Sequence, residues 1–167
     1  MDLPKFKGVY VLLMEVKSET VKRVGSLGSI RLVKGIYVYI GSARGPGGIR
    51  GRVSRYLKGP RKLRWHIDYI ICDRRLVSLK ALVFGECDEN LEVKLALKLI
   101  EEGFKVVREG MGCSEYKNAF KKYSHFLKSP YRDLRRTLTQ VVKVFSSLGL
   151  APNVLKLNGL PPNGYRV

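Results

Sequence analysis

Cysteine is scarce and badly spaced for chemistry. Cys72, Cys87 and Cys113 stand far apart and no CxxC pair occurs, which excludes a zinc knuckle and a dithiol redox site. Buried thiols without a disulfide are the expected state. Acidic residues are also few, 14 Asp and Glu against 32 Lys and Arg, leaving a formal net charge of +18. Long apolar runs are missing: no stretch reaches the ~18 residues a membrane-spanning helix needs. The opening MDLPKFKG lacks the apolar centre of a signal peptide. A cytoplasmic protein with no membrane partner is expected. Neither the Gly-Lys-Ser/Thr of a Walker A loop nor GxGxxG is present, so the common nucleotide-binding loops are excluded. No internal repeat and no low-complexity block interrupts the chain.

What is present suffices for a packed core. The chain has 167 residues, of which 45% are hydrophobic, enough for one domain with an appended tail. So large a positive charge on a folded domain is the electrostatic footprint of a nucleic-acid binder. A solvated basic surface is the plainer alternative.

The pattern predicts an α+β chain. Residues 8–16, GVYVLLMEV, read as a central strand and residues 21–34 as a hairpin. Residues 35–41 form the next strand, with Tyr37, Tyr39 and Gly41 on one face. Ile49, Val53, Tyr56 and Leu57 make one stripe of a helix over 48–58, flanked by Arg52 and Arg55. Gly59-Pro60 ends it, and RKLRWHIDYIICD follows with the single tryptophan. A strand over 76–84, a helix over 89–102 and a short strand over 104–107 come next. EGMGCSEYKNAFKKYSHF reads as a loop, 131–148 as an amphipathic helix, and the Pro/Gly/Asn-rich tail as extended or disordered.

The stretch GIYVYIGSARGPGGIRGRVSRYLK, residues 35–58, concentrates phenols, guanidiniums and glycines in one small volume. Its loop exposes backbone N–H groups ahead of a helix, where a phosphate is stabilised. That suits a phosphodiester better than an apolar metabolite. Ser42, Arg44, Arg50, Arg55 and Lys58 are the candidate nucleic-acid contacts.

These pieces resemble a known family. Gly8-Val9-Tyr10, Tyr39-Ile40-Gly41-Ser42-Ala43-Arg44-Gly45, Arg52-Val53-Ser54-Arg55-Tyr56, Trp65-His66-Ile67-Asp68-Tyr69, Glu92 at a helix start and Gly110-Met111-Gly112-Cys113-Ser114-Glu115 follow in the order of the GIY-YIG endonucleases. Within that family the chain is most similar to a compact archaeal and bacterial branch known only as a domain of unknown function. The resemblance covers roughly residues 8–127 and is carried by order and spacing together. Two departures stand out. Residues 17–34 separate the two motifs where the family has a short turn, which fits an added hairpin. A literal Gly35-Ile36-Tyr37 also occurs on the same strand as Tyr39. Tyr37 and Tyr39 would sit about 7 Å apart along one strand, whereas the family's two tyrosines come from adjacent strands. Tyr10 is therefore taken as the first-motif tyrosine and Tyr37 as its alternative.

The resemblance implies a small antiparallel sheet of three main strands plus a hairpin insertion, flanked by helices. It implies a nuclease-like domain over 1–127, followed by an amphipathic helix and tail over 128–167. It implies metal-dependent hydrolysis of nucleic-acid phosphodiester bonds, structure-specific and on DNA in preference to RNA. By position, Tyr10, Tyr39, Arg52, Tyr56 and His66 are its catalytic candidates and Glu92 its ligand for Mg²⁺ or Mn²⁺. A tyrosine would take the water's proton if an arginine or metal lowered its pKa. The other reading is a noncatalytic nucleic-acid-binding module that keeps the fold. Without the resemblance, Tyr10 and Tyr39 are core residues, Glu92 is a helix-dipole partner, and His66 is as readily structural as a proton carrier. His125 is assigned no role. The helix over 131–148 is a candidate face for a homodimer or a protein partner.

Overall fold

The computed structural model describes residues 3–112 and 123–157. The elements run β1 (Gly8–Val16), β2 (Thr20–Arg23), β3 (Ser29–Leu32), β4 (Gly35–Ala43), α1 (Gly48–Lys58), α2 (His66–Ile71), β5 (Val77–Glu86), α3 (Glu92–Glu101), β6 (Lys105–Val106), β7 (Phe126–Lys128), α4 (Leu134–Ser147) and β8 (Asn153–Lys156). The architecture is α+β. A six-stranded sheet, ordered β6-β7-β4-β1-β5-β8, pairs antiparallel throughout. Its three long strands, β4, β1 and β5, lie side by side at the centre.

β1 is apolar on both faces because both are covered, and its alternation sorts the molecule into two cores. Tyr10, Leu12 and Met14 join Tyr37, Tyr39, Ile49, Val53, Tyr56 and Ile67 under α1, α2 and the hairpin. Val9, Val11 and Leu13 join Val38, Ile40, Leu95, Leu99, Val141 and Phe145 under α3 and α4. The β2–β3 hairpin is a separate two-stranded sheet. It inserts Val24, Ile30 and Leu32 into the first core, and a Lys22–Asp73 ion pair of 2.5 Å ties it to the residues after α2.

Three elements depart from the sequence expectation. HIDYII, nearly all apolar and too short to show a period, folds as α2. Its entry is fixed by Asp68 Oδ2, which accepts the Trp65 N–H at 2.9 Å. Phe126–Lys128 leaves the expected loop to pair with β4. Asn153–Lys156, within the tail, pairs with β5 along Phe84 to Ala81. The cysteines differ too: Cys72 is exposed and Cys87 half-buried, both as free thiols. Cys113, Ser114 and Glu115 lie outside the described residues, as does the end of the tail.

Candidate active site

The site forms where β1 begins and β4 ends. Tyr10 pairs across the strands with Gly41, and its ring lies directly over that glycine. A Cβ on Gly41 would collide with the Tyr10 hydroxyl and ring carbons, so the missing side chain makes room for the phenol. The Tyr10 and Tyr56 hydroxyls are hydrogen-bonded at 2.9 Å. The ring of Tyr56 stands 6.0 Å from that of Tyr10, and edge-on to Tyr39 at 6.3 Å and to Trp65 at 6.4 Å. Three phenols from two strands and a helix thus meet above the first core.

A cavity of about 260 Å³ opens over them. It is lined by Tyr10, Tyr39, Gly41, Ser42, Arg44, Gly45, Arg52, Tyr56, Trp65, Glu92, Gly112 and His125. Of the residues singled out from sequence, Tyr10, Tyr39, Tyr56, Arg52, Ser42, Arg44 and Glu92 are therefore brought together. Glu92 arrives from the other layer, at the first position of α3. β7 pairs with β4 over Tyr37 to Tyr39, and the Ile40 N–H continues the contact to the His125 carbonyl at 2.9 Å. Tyr37 is not in the cavity. Its hydroxyl donates to the Val33 carbonyl at 2.8 Å and its ring stacks on Phe126 at 5.3 Å.

Arg52 and Arg55, three apart on α1, have different fates. Both guanidiniums stack on the Trp65 ring, at 4.4 and 4.3 Å. Arg52 lines the cavity. Arg55 reaches away from it and grips Asp68 with two nitrogens, at 2.5 and 2.7 Å. Asp68 is fully buried. Burial pushes its carboxyl up, but the bonds from Arg55 and from the Trp65 and Arg64 N–H groups outweigh this and hold it below its usual value. Arg55 and Lys58 line a separate groove with Arg61, Lys62 and Arg64. Arg50 bonds the Leu3 carbonyl at 2.8 Å. His66 also lies outside the cavity lining, where its Nδ1 accepts the Gly112 N–H at 3.4 Å.

Four N–H groups at the start of α1 are already bonded within the chain. At the start of α1, the Ile49 N–H donates to the Phe6 carbonyl at 3.1 Å and the Arg50 N–H to the Pro4 carbonyl at 2.8 Å. The Gly48 N–H donates to Gly45 and the Gly51 N–H to Gly47. The chain ahead of β1 thus occupies the Ile49 and Arg50 N–H groups, and Arg44 and Arg52 bring positive charge to the cavity.

The phenols carry their protons. Burial raises Tyr10, Tyr39 and Tyr56 above the ordinary phenol value. Their mutual repulsion as phenolates adds to this at Tyr10 and Tyr39. Arg52 acts in the expected direction on all three, downward, but burial wins.

His125 and Trp65 complete the wall, and the sequence reading gave neither a part. His125 is 2% exposed, and burial depresses its imidazole to about 4, so it is neutral at physiological pH. Its Nε2 has no hydrogen-bond partner among the described residues. Backbone bonds tie it to two motifs noticed in the sequence: its N–H donates to the Met111 carbonyl at 3.0 Å, and its carbonyl accepts the Ile40 N–H at 2.9 Å. Toward a divalent cation the cavity offers the Glu92 carboxylate and this orphaned nitrogen. Among the described residues no group of three or more His, Cys, Asp or Glu side chains is placed to hold a metal. Nor is any helix among them long and apolar enough to cross a membrane.

Comparison with curated proteins and with solved structures finds no match. One family matches over residues 9–148, the stretch from β1 through α4 that contains every cavity residue, and the chain belongs to it: the family described as Domain of unknown function DUF123.

Proposed function

We propose that this protein is a GIY-YIG-type endonuclease that hydrolyses phosphodiester bonds of nucleic acid, structure-specifically and on DNA in preference to RNA. The observation that carries the reading is the convergence of Tyr10, Tyr39, Tyr56, Arg44, Arg52 and Glu92 on one cavity. A phosphodiester needs charge neutralised on its nonbridging oxygens and a water held in line with the leaving oxygen. Arg52, anchored on Trp65, offers a planar fork to those oxygens, with Arg44 at the rim. Tyr10 and Tyr39 act as neutral phenols, orienting water or donating to phosphate oxygen. The Tyr10 and Tyr56 hydroxyls are held together by their 2.9 Å hydrogen bond. Glu92 is the ligand for Mg²⁺ or Mn²⁺, which when bound polarises the phosphate and stabilises the developing charge.

Cleavage of a panel of duplex, flap, junction and single-stranded DNA and of RNA, with Mg²⁺ or Mn²⁺, tests the reading. Cleavage lost in Glu92→Gln and in Arg52→Ala, with folding retained, is the expected result. Salt-sensitive binding without cleavage of any member would instead identify a noncatalytic binding module.

A further inference from the structure

The orphaned atom in the cavity wall leads beyond a single-carboxylate metal site. His125 is clamped by backbone on both sides: its N–H donates to Met111 at 3.0 Å, and its carbonyl accepts the Ile40 N–H at 2.9 Å. Its ring stands edge-on to Tyr123, with centroids 5.0 Å apart. Nε2 is buried and unpartnered among the described residues, and His125 belongs to the cavity lining. Gly112 has φ +81°, and a Cβ there would sit 2.9 Å from the His125 Cβ and 3.1 Å from the Tyr39 ring. The glycine lets imidazole and phenol close on each other. Neutral imidazole is the form in which histidine binds metals. Burying such a nitrogen unmatched carries a desolvation cost, which a ligand at Nε2 would remove.

We propose that His125 Nε2 and the Glu92 carboxylate together ligate a divalent cation in this cavity, and that the nitrogen makes the site favour Mn²⁺ over Mg²⁺. The proposal rests on reading Glu92 as the metal carboxylate. The preference follows from ligand chemistry: Mg²⁺ demands oxygen and gives up its waters reluctantly, whereas first-row transition ions accept imidazole.

The chain has only two histidines, which makes the test decisive. Mn²⁺ alone is titrated into the full chain without nucleic acid. Its affinity is read by continuous-wave electron paramagnetic resonance, and nitrogen ligation by pulsed measurements. The wild type should bind Mn²⁺ with an imidazole nitrogen coupling, and Mg²⁺ should displace it only in large excess. His125→Gln should lose the coupling and bind Mn²⁺ about tenfold or more weakly, while His66→Gln keeps both. Glu92→Gln should lose binding. Should His125→Gln not fold, the His66→Gln protein labelled with ¹⁵N-histidine carries its only label at His125, and an isotope change in the coupling then identifies the ligand. No Mn²⁺ binding, binding without nitrogen coupling, coupling that persists in His125→Gln, or equal competition by Mg²⁺ would overturn the proposal. Because no arm reads cleavage, the two readings fail separately. A protein that cuts DNA with Mg²⁺ but shows no nitrogen coupling to Mn²⁺ loses this proposal alone. One that binds Mn²⁺ through His125 and cuts nothing loses the nuclease reading alone.

Discussion

Tyr10→Phe separates packing from chemistry. The ring stays over Gly41 and only the hydroxyl bonded to Tyr56 at 2.9 Å is lost, so stability should fall by about 1 kcal/mol and cleavage far more. Unchanged cleavage would make Tyr10 a core residue, as its 1% exposure alone would suggest. Asp68 gives the pH prediction. Its folded-state pKa lies below the unfolded value near 3.8, so its stabilisation is present above pH 4 and disappears as pH falls through the folded value. Asp68→Asn should cost about 3 kcal/mol at pH 7, because Arg55 loses its buried partner. It should also flatten the decline below pH 4. Equal acid sensitivity of variant and wild type in denaturant titrations would reject this account.

At the scale of elements, α1 makes a paired prediction from one turn of helix. Arg52→Ala should leave the melting temperature nearly unchanged and slow cleavage about a hundredfold, since an electrostatic clamp is worth about 3 kcal/mol in the transition state. Arg55→Ala should do the reverse, destabilising the fold by leaving a buried carboxylate without its cation. Parallel effects of the two substitutions on both readouts would refute this division. Helical spacing places these arginines on one flank; the resemblance alone set Arg52 apart, and the α2 carboxylate that claims Arg55 was not visible in the sequence. Other features were readable. β1 and α1 end where their patterns end, because apolar alternation and the Gly59-Pro60 break are local signals. Tyr10 was separable from Tyr37 by the need for two strands. What stayed hidden depends on contacts distant in sequence: α2 is too short for a period, β7 and β8 are defined by the edges they join, and the N–H groups of α1 are occupied by residues 4–6. His125 was passed over for the same reason, since a lone histidine in a polar segment gives no sign of the cavity it will face.

At the scale of the whole molecule, the charge distribution decides how substrate is held. Exposed Arg44 stands at the cavity rim, exposed Lys58 ends α1, and Arg61, Lys62 and Arg64 are exposed on the turn joining α1 to α2. Arg55, in the same groove, already has its charge matched by Asp68. The nucleic-acid track should therefore run from Arg44 and Arg52 toward Arg61, Lys62 and Arg64, with Arg55 as its support. If about five phosphates are neutralised, log K for duplex DNA should fall against log salt with a slope of roughly −4 to −5. Converting both Lys62 and Arg64 to alanine should reduce the magnitude of that slope by about 2 and weaken binding evenly across sequences. The outward side of α4 carries exposed Arg135, Arg136 and Lys143, with exposed Arg132 just ahead of it, on the layer of the second core, and supplies the control. Alanine at Arg135 and Arg136 should leave the slope for a short duplex unchanged if the cavity side alone holds it. Fluorescence anisotropy across a salt series measures all three slopes. A wild-type slope near zero would remove the electrostatic basis for nucleic-acid binding, and a loss confined to the α4 variant would move the track to the opposite layer.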